Sequence, residues 1–441
     1  MSFLPTGQLI ADPALAALIE QLAPAPCIES ARIGEAGSPS AVHALFSRIS
    51  SAATAQQMVA LLRHRSAVVR GYAAEHVVAT LPAELAAVYP LLADSAKVQE
   101  MSGCTISNTT VSKVVLTALR AQLERPAVQT LLLRAADDPD LGELRAEVLQ
   151  AVAKRRPAEA AALAQGLLRG SAPRLLAGAI RTLGMAATED CATSLGELAS
   201  SAEPDVRAAV ATALGSLHHA CVEPTLRKLT ADSEDYVRVL AGASYARTPQ
   251  RDPAVVRQLL RDRAQRVKVH TALALAQQAG VAELALLREY LAAEPSSSEV
   301  ISALGQTRNG EVTAFMRELL SGTLGVDVLT RAQALGYLGE VADRQSLPLF
   351  IQGLRSSYIG ERKAAAAGLG ALGERSAAPA LCALLADPNP HGRLAAARAL
   401  IKLRASDARD ALNAAAAQDS SWAKDEMMGL AKQLQADAPE R

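Results

Sequence analysis

Four arginines hold one phase in this sequence. Leu226-Arg227, Val256-Arg257, Leu287-Arg288 and Met316-Arg317 recur at nearly even spacing. A guanidinium grips a carboxylate or phosphate through two parallel N–H bonds. A row of four therefore reads as a binding stripe for carboxylates, phosphates or an acidic helix. Arg261 stands one helical turn after Arg257, and Arg263, Arg266 and Lys268 follow closely. Residues 257–268 are thus a local basic concentration in a chain with 45 basic and 45 acidic residues. Arg227 has Glu223 one turn before it, so it is partly neutralised on its own helix. The same row also reads as a structural ladder, each arginine bonding an acid or helix end of the adjacent segment. Both readings stand at this stage, with Arg227, Arg257, Arg261, Arg288 and Arg317 as the candidate partner-binding residues. The next positions in phase are Ile351, Cys382 and Asn413, where the row ends.

Other reactive residue types lack the company their chemistry needs. His218-His219-Ala220-Cys221 has the composition of a metal cluster, but adjacent residues at a helix end point in different directions. No second group of ligands completes it, and a solvated turn is the simpler reading. Cys27, Cys104, Cys191, Cys221 and Cys382 are scattered, with no C-x-x-C pair, so they suggest neither a disulfide framework nor a zinc knuckle. A Cys104 nucleophile would need a histidine base that the sequence does not place. No catalytic, cofactor-binding or metal-binding residue is assigned, and a non-enzyme is expected.

These residues sit on elements the composition restricts. Half of the 441 residues are hydrophobic but only 3% are aromatic, with alanine and leucine dominant; such a chain packs helices closely, whereas strands favour β-branched and aromatic residues. The expected class is all-α. Residues 204–217 give the clearest helix, with Val206, Val210, Ala213, Leu214 and Leu217 on one face. Taking Arg207 as phase marker, equivalent positions fall at Arg238, Lys268, Ser297, Val328, Arg362, Arg393 and Ala423, again at nearly even spacing. Upstream the phase falls near Pro173, Leu144, Ser112 and Arg70. A recurrence sustained over this much of the chain implies a stack of about twelve helix pairs, an α-α superhelix.

The expected organisation is a helical cap over 1–65, a repeat array over 66–441, and a C-terminal capping helix near 421–435. The interval from Arg70 to Ser112 is the longest in the series, and the excess is the polar run near 95–112. Insertions in repeat arrays usually emerge as loops on one face, often the binding face; a poorly matched repeat with capping Ser and Thr residues is the alternative. The N-terminus has no basic side chain before Arg32 and no long apolar run, so it does not read as a secretory signal. No stretch approaches ~20 apolar residues, as a membrane span requires. A cytoplasmic location is expected, and the high arginine and alanine usage suggests a bacterial source.

Pro204-Asp205-Val206-Arg207-Ala208-Ala209…Ala213-Leu214-Gly215 resembles the signature of HEAT-like repeats, as does Gly392-Arg393-Leu394-Ala395-Ala396-Ala397-Arg398-Ala399-Leu400. The repeat length is similar to that of the variety named after phycobilisome (PBS) lyases. The resemblance covers roughly residues 65–441 and implies fold more than function, since such repeats occur in lyases, hydroxylases, DNA glycosylase relatives and plain scaffolds. The hydroxylases hold iron with His-Glu pairs; here Glu75-His76 is reversed and solitary. The DNA glycosylase branch uses aromatic and basic residues on its concave face. Trp422 is the single tryptophan and reads as end-capping, while Tyr236, Tyr245, Tyr290 and Tyr337 are spread over different phases as packing residues would be. Chromophore-lyase activity would need a dedicated cysteine or acid that does not declare itself. The expected function is a non-catalytic scaffold or adaptor for another protein, with an acidic helix or disordered segment as partner. Nucleic acid is the disfavoured alternative because net charge is zero; no membrane and no cofactor are expected.

Overall fold

The computed structural model describes residues 3–35, 37–169, 171–186, 190–217, 220–322 and 324–436. The chain forms two units, Met1–Leu217 and His218–Arg441.

In the first unit, helices Pro13–Leu22, Ala41–Ala52 and Ala67–Thr80 precede a 3-10 stretch, Pro82–Ala93. Regular helix pairs then run from Val111–Ala121 to Pro204–Gly215. Proline opens several of these helices at the first turn, where its missing N–H costs no intrahelical bond.

The first unit also contains a four-stranded sheet, β1 (Cys27–Ile33), β2 (Ser38–Pro39), β3 (Lys97–Gly103) and β4 (Thr105–Thr110), in the order β2-β1-β3-β4. Residues 1–65 are therefore not the wholly helical cap expected from sequence, and the polar run at 95–112 is a hairpin rather than a loop. The reason is local. Thr105-Ile106-Ser107-Asn108-Thr109-Thr110 is rich in β-branched residues, and Ser102 pairs with Thr105 across a tight turn. Gly103 opens that turn at φ 55°, where an L side chain is strained. The long-range step is the parallel pairing of β1 with β3, Cys27 opposite Gln99 and Ile28 opposite Glu100. Ile28 then lies on Gly71, where an added Cβ would stand 2.3 Å from Cδ1 of the isoleucine. Tyr72 fixes the strand by accepting from the Glu29 N–H at 2.7 Å and donating to the Glu29 carbonyl at 2.9 Å.

In the second unit, the first helices of the repeats, Asp235–Arg247, Gln265–Gln278, Ser298–Gly305, Val328–Glu340, Ile359–Leu372 and Pro390–Lys402, pack each against the next. Their partners, such as Glu223–Leu229, Pro253–Leu259, Val281–Ala293, Gly310–Leu320 and Ala378–Leu384, form the second row. Apolar residues on the facing stripes are buried throughout, Leu275, Leu304, Leu338, Leu369 and Leu400 among them. Gly339 lies against Gly368, whose Cα would be 2.9 Å from an added Cβ, so two helix backbones approach where neither residue has a side chain. No helix among the described residues is long and apolar enough to cross a membrane.

The arginines that mark the repeat phase are structural. Arg70, Arg238, Arg362 and Arg393 pair with Asp94, Asp262, Asp387 and Asp419 at 2.7, 3.0, 2.5 and 2.8 Å. Each also donates through Nη1 to two backbone carbonyls just ahead of its own helix, as Arg238 does to Asp232 and Ser233. The aspartate in turn accepts a backbone N–H from just beyond itself, Asp262 from Ala264 and Asp387 from Asn389 for example. One largely buried ion pair thus ties a first helix to the turn that begins the next repeat. In the sequence these arginines serve only to mark the period. The overlooked signal is the aspartate that follows each of them by nearly the same separation: Asp94, Asp262, Asp387 and Asp419.

Candidate interaction surface

The in-phase arginines stand on the second helices, each within reach of an acid from the following repeat. Arg227 donates to Glu223 at 2.9 Å and to Asp252 at 3.0 Å. Arg257 Nε lies 3.0 Å from both oxygens of Glu289. Arg288 makes a two-pronged bond to Glu318 at 2.6 Å on each prong, and Arg317 lies 3.6 Å from Asp343. Buried Tyr245 knots the first rung together: it donates to Glu223 and accepts the Asp252 N–H. The bonds hold the acids ionised. Hydrogen bonds from Arg257 and Arg288 lower the carboxyls of Glu289 and Glu318, and the same bonds raise both guanidiniums.

The row therefore has the geometry of an inter-repeat ladder. Its side chains are still 29 to 48% exposed, so water and a partner's carboxylate can compete for them. Exposed pairs of this kind contribute little to stability. Arg261 differs from the other four candidates. It is exposed, and among the described residues it meets no acid at ion-pair distance.

The remaining candidates separate cleanly. Cys27 is buried beside Glu29, Cys104 is exposed at the hairpin turn, Cys221 is exposed and Cys382 is half-buried. The His218-His219 pair and the side chain of Cys191 lie outside the described residues. Among the described residues no group of three or more His, Cys, Asp and Glu is arranged to hold a metal ion. Trp422 precedes the last helix, Lys424–Ala436, is 58% exposed, and has its ring centroid 4.8 Å from that of His391. Tyr245, Tyr290 and Tyr337 are buried as packing residues, whereas Tyr236 is 37% exposed.

Stacked helix pairs joined by arginine–aspartate rungs define an α-helical solenoid of the HEAT class. The family model of HEAT repeats matches residues 160–246 and 347–427, so these two segments carry HEAT repeats. A structure of Kap95p with RanGDP is similar over 99% of this chain and 62% of that chain, with a TM-score of 0.54 and 12% identity. Importin beta is similar over 86% and 60%, with a TM-score of 0.51 and 12% identity. Kap121p bound to Pho4p is similar over 84% and 48%, with a TM-score of 0.51 and 13% identity. At these identities the likeness is one of fold, and the chain spans about half to three fifths of the length of those chains. No curated protein matches the sequence.

Proposed function

We propose that this protein is a non-catalytic scaffold that binds another protein along its helical repeats, with the Arg227, Arg257, Arg261, Arg288 and Arg317 surface taking part in the contact. The observation that carries the reading is the repeat array itself: its helix pairs use their apolar stripes on their neighbours, and four successive second helices leave a row of charged side chains exposed. Proteins of similar fold are described as complexes with other proteins, Kap95p with RanGDP and Kap121p with Pho4p. The partner this reading implies carries carboxylates, in a helix or a segment that orders on binding.

The test is crosslinking and affinity capture from the native organism with the wild type and an Arg257→Ala/Arg288→Ala variant. Because these pairs are exposed, the variant should keep its helical circular dichroism with little change in stability. The partner should be captured by the wild type and lost from the variant. Unchanged capture would remove the row from the contact, and a wild type with no specific partner would remove the scaffold reading.

A further inference from the structure

We propose that Arg261, Arg263, Arg266 and His270, together with Tyr236 and Leu240, form a docking surface for an acidic amphipathic segment of a partner protein. The inference rests on the scaffold reading and gives it a site at the turns and first helices.

The charge at this place is not balanced locally. Arg261, Arg263 and Arg266 are all exposed, and among the described residues none is at ion-pair distance from an acid. Cations on either side are satisfied, Arg257 by Glu289 and Lys268 by Glu294. The acid inside the cluster, Asp262, bonds to Arg238 and to the Ala264 N–H and feels Arg263 only at longer range. Glu289 feels Arg261 only at longer range, beyond its bond to Arg257. His270 lies one turn along the same helix as Arg266, its Nδ1 2.9 Å from the Arg266 carbonyl.

An apolar element adjoins the cations. Asp235–Arg247 packs along Gln265–Gln278, and Arg238 and Lys268 hold equivalent positions. Tyr236 therefore corresponds to Arg266, and Leu240 to His270. Tyr236 and Leu240 are each 37% exposed and stand one turn apart on one helix face. Carboxylates answer the arginines, and apolar side chains at the same spacing answer Tyr236 and Leu240. Exposed Glu234 and Asp235 border the patch and confine the positive field to a few residues. A long phosphate backbone would meet those acids, whereas a peptide with interleaved acidic and apolar side chains fits between them.

The test uses the full chain and a fluorescein-labelled helical peptide of about eighteen residues, leucine on one face and glutamate on its flanks. Anisotropy should show saturable binding to the wild type, weakened about tenfold or more in an R263E/R266E variant and severalfold in Leu240→Ser. A lysine version of the peptide should not bind. Circular dichroism of the variants should match the wild type, because every altered side chain is exposed. Equal affinity of wild type and R263E/R266E, or no binding of the glutamate peptide, overturns the site. An oligonucleotide that binds more tightly than the peptide through the same arginines assigns the patch to nucleic acid and overturns it as well. If crosslinking captures a partner that R263E/R266E still retains, this site fails and the scaffold reading stands. If the wild type captures no partner, the scaffold reading fails first.

Discussion

Replacing Arg362 with alanine should destabilise the second unit by about 3–5 kcal/mol, the cost of leaving one member of a buried ion pair alone. Arg362 holds Asp387 at 2.5 Å through Nε and 2.9 Å through Nη2, and it donates to the Ser356 and Ser357 carbonyls at 2.9 Å. Asp387 is 6% exposed, and without Arg362 the Asn389 N–H and the more distant charge of Arg393 are left to offset its charge. Burial pushes the Asp387 carboxyl up, but the bonds from Arg362 and Asn389 win and hold it below its ordinary value. A depressed carboxylate stabilises the fold above its unfolded pKa, and that stability is lost as pH falls through the folded value. The R362A defect should therefore be largest near neutral pH and shrink in acid. Urea unfolding followed by circular dichroism, with Asp387→Ala and the double variant, gives the coupling between the two. A loss of about 1 kcal/mol or less near neutrality would class the rung with the exposed pairs. Set beside Arg257→Ala, the variant separates burial from chemistry, since the same kind of ion pair has a large effect in one place and a small one in the other.

Glu75→Gln should do the opposite and stabilise the first unit at pH 8 by an amount on the order of 1–3 kcal/mol. Glu75 lies on the helix Ala67–Thr80, which packs against β1 and β3. Burial, and then the charge of Glu100 on β3, raise it from an ordinary 4.5 to about 7; burial raises Glu100 as well. Nearby Glu29 accepts from Ser40 and from the Cys27 thiol, and burial lowers adjacent His76, so among the described residues no cation offsets a second negative charge there. A carboxyl raised in the folded state stabilises fully below its unfolded pKa, and the benefit disappears as pH climbs through the folded value. Wild-type stability from this group should fall between pH 4.5 and about 7 and then level off. Glutamine removes the dependence, so thermal unfolding should show a gain at pH 8 and none at pH 4.5. An equal shift at both pH values would show that packing, and not ionisation, governs the position.

The repeat architecture was legible because it is written locally and many times. Val206, Val210 and Leu214 specify one helix face by spacing alone, and the same spacing recurs with the same proline, aspartate and glycine punctuation. The strands were not legible from the same evidence. Cys27–Ile33 carries a mixed pattern that means little by itself, and β1 exists because β3, far downstream in the chain, lies parallel to it. Pairing across that distance is a property of the folded chain, since neither strand can satisfy its own backbone groups.

For the candidate surface the division is similar. Sequence alone determined that Arg227, Arg257, Arg288 and Arg317 share a phase, because a repeat period is a statement about spacing. It did not determine their partners. Glu289, Glu318 and Asp343 each belong to the repeat after the arginine they bind, and only stacking of one repeat on the next brings such residues within ion-pair range. Tertiary structure likewise decided that Asp262 faces Arg238 and leaves Arg261, Arg263 and Arg266 as the surplus. Charge counted along a chain says how many ions are present. Which of them are neutralised depends on distances that exist only after the helices have packed.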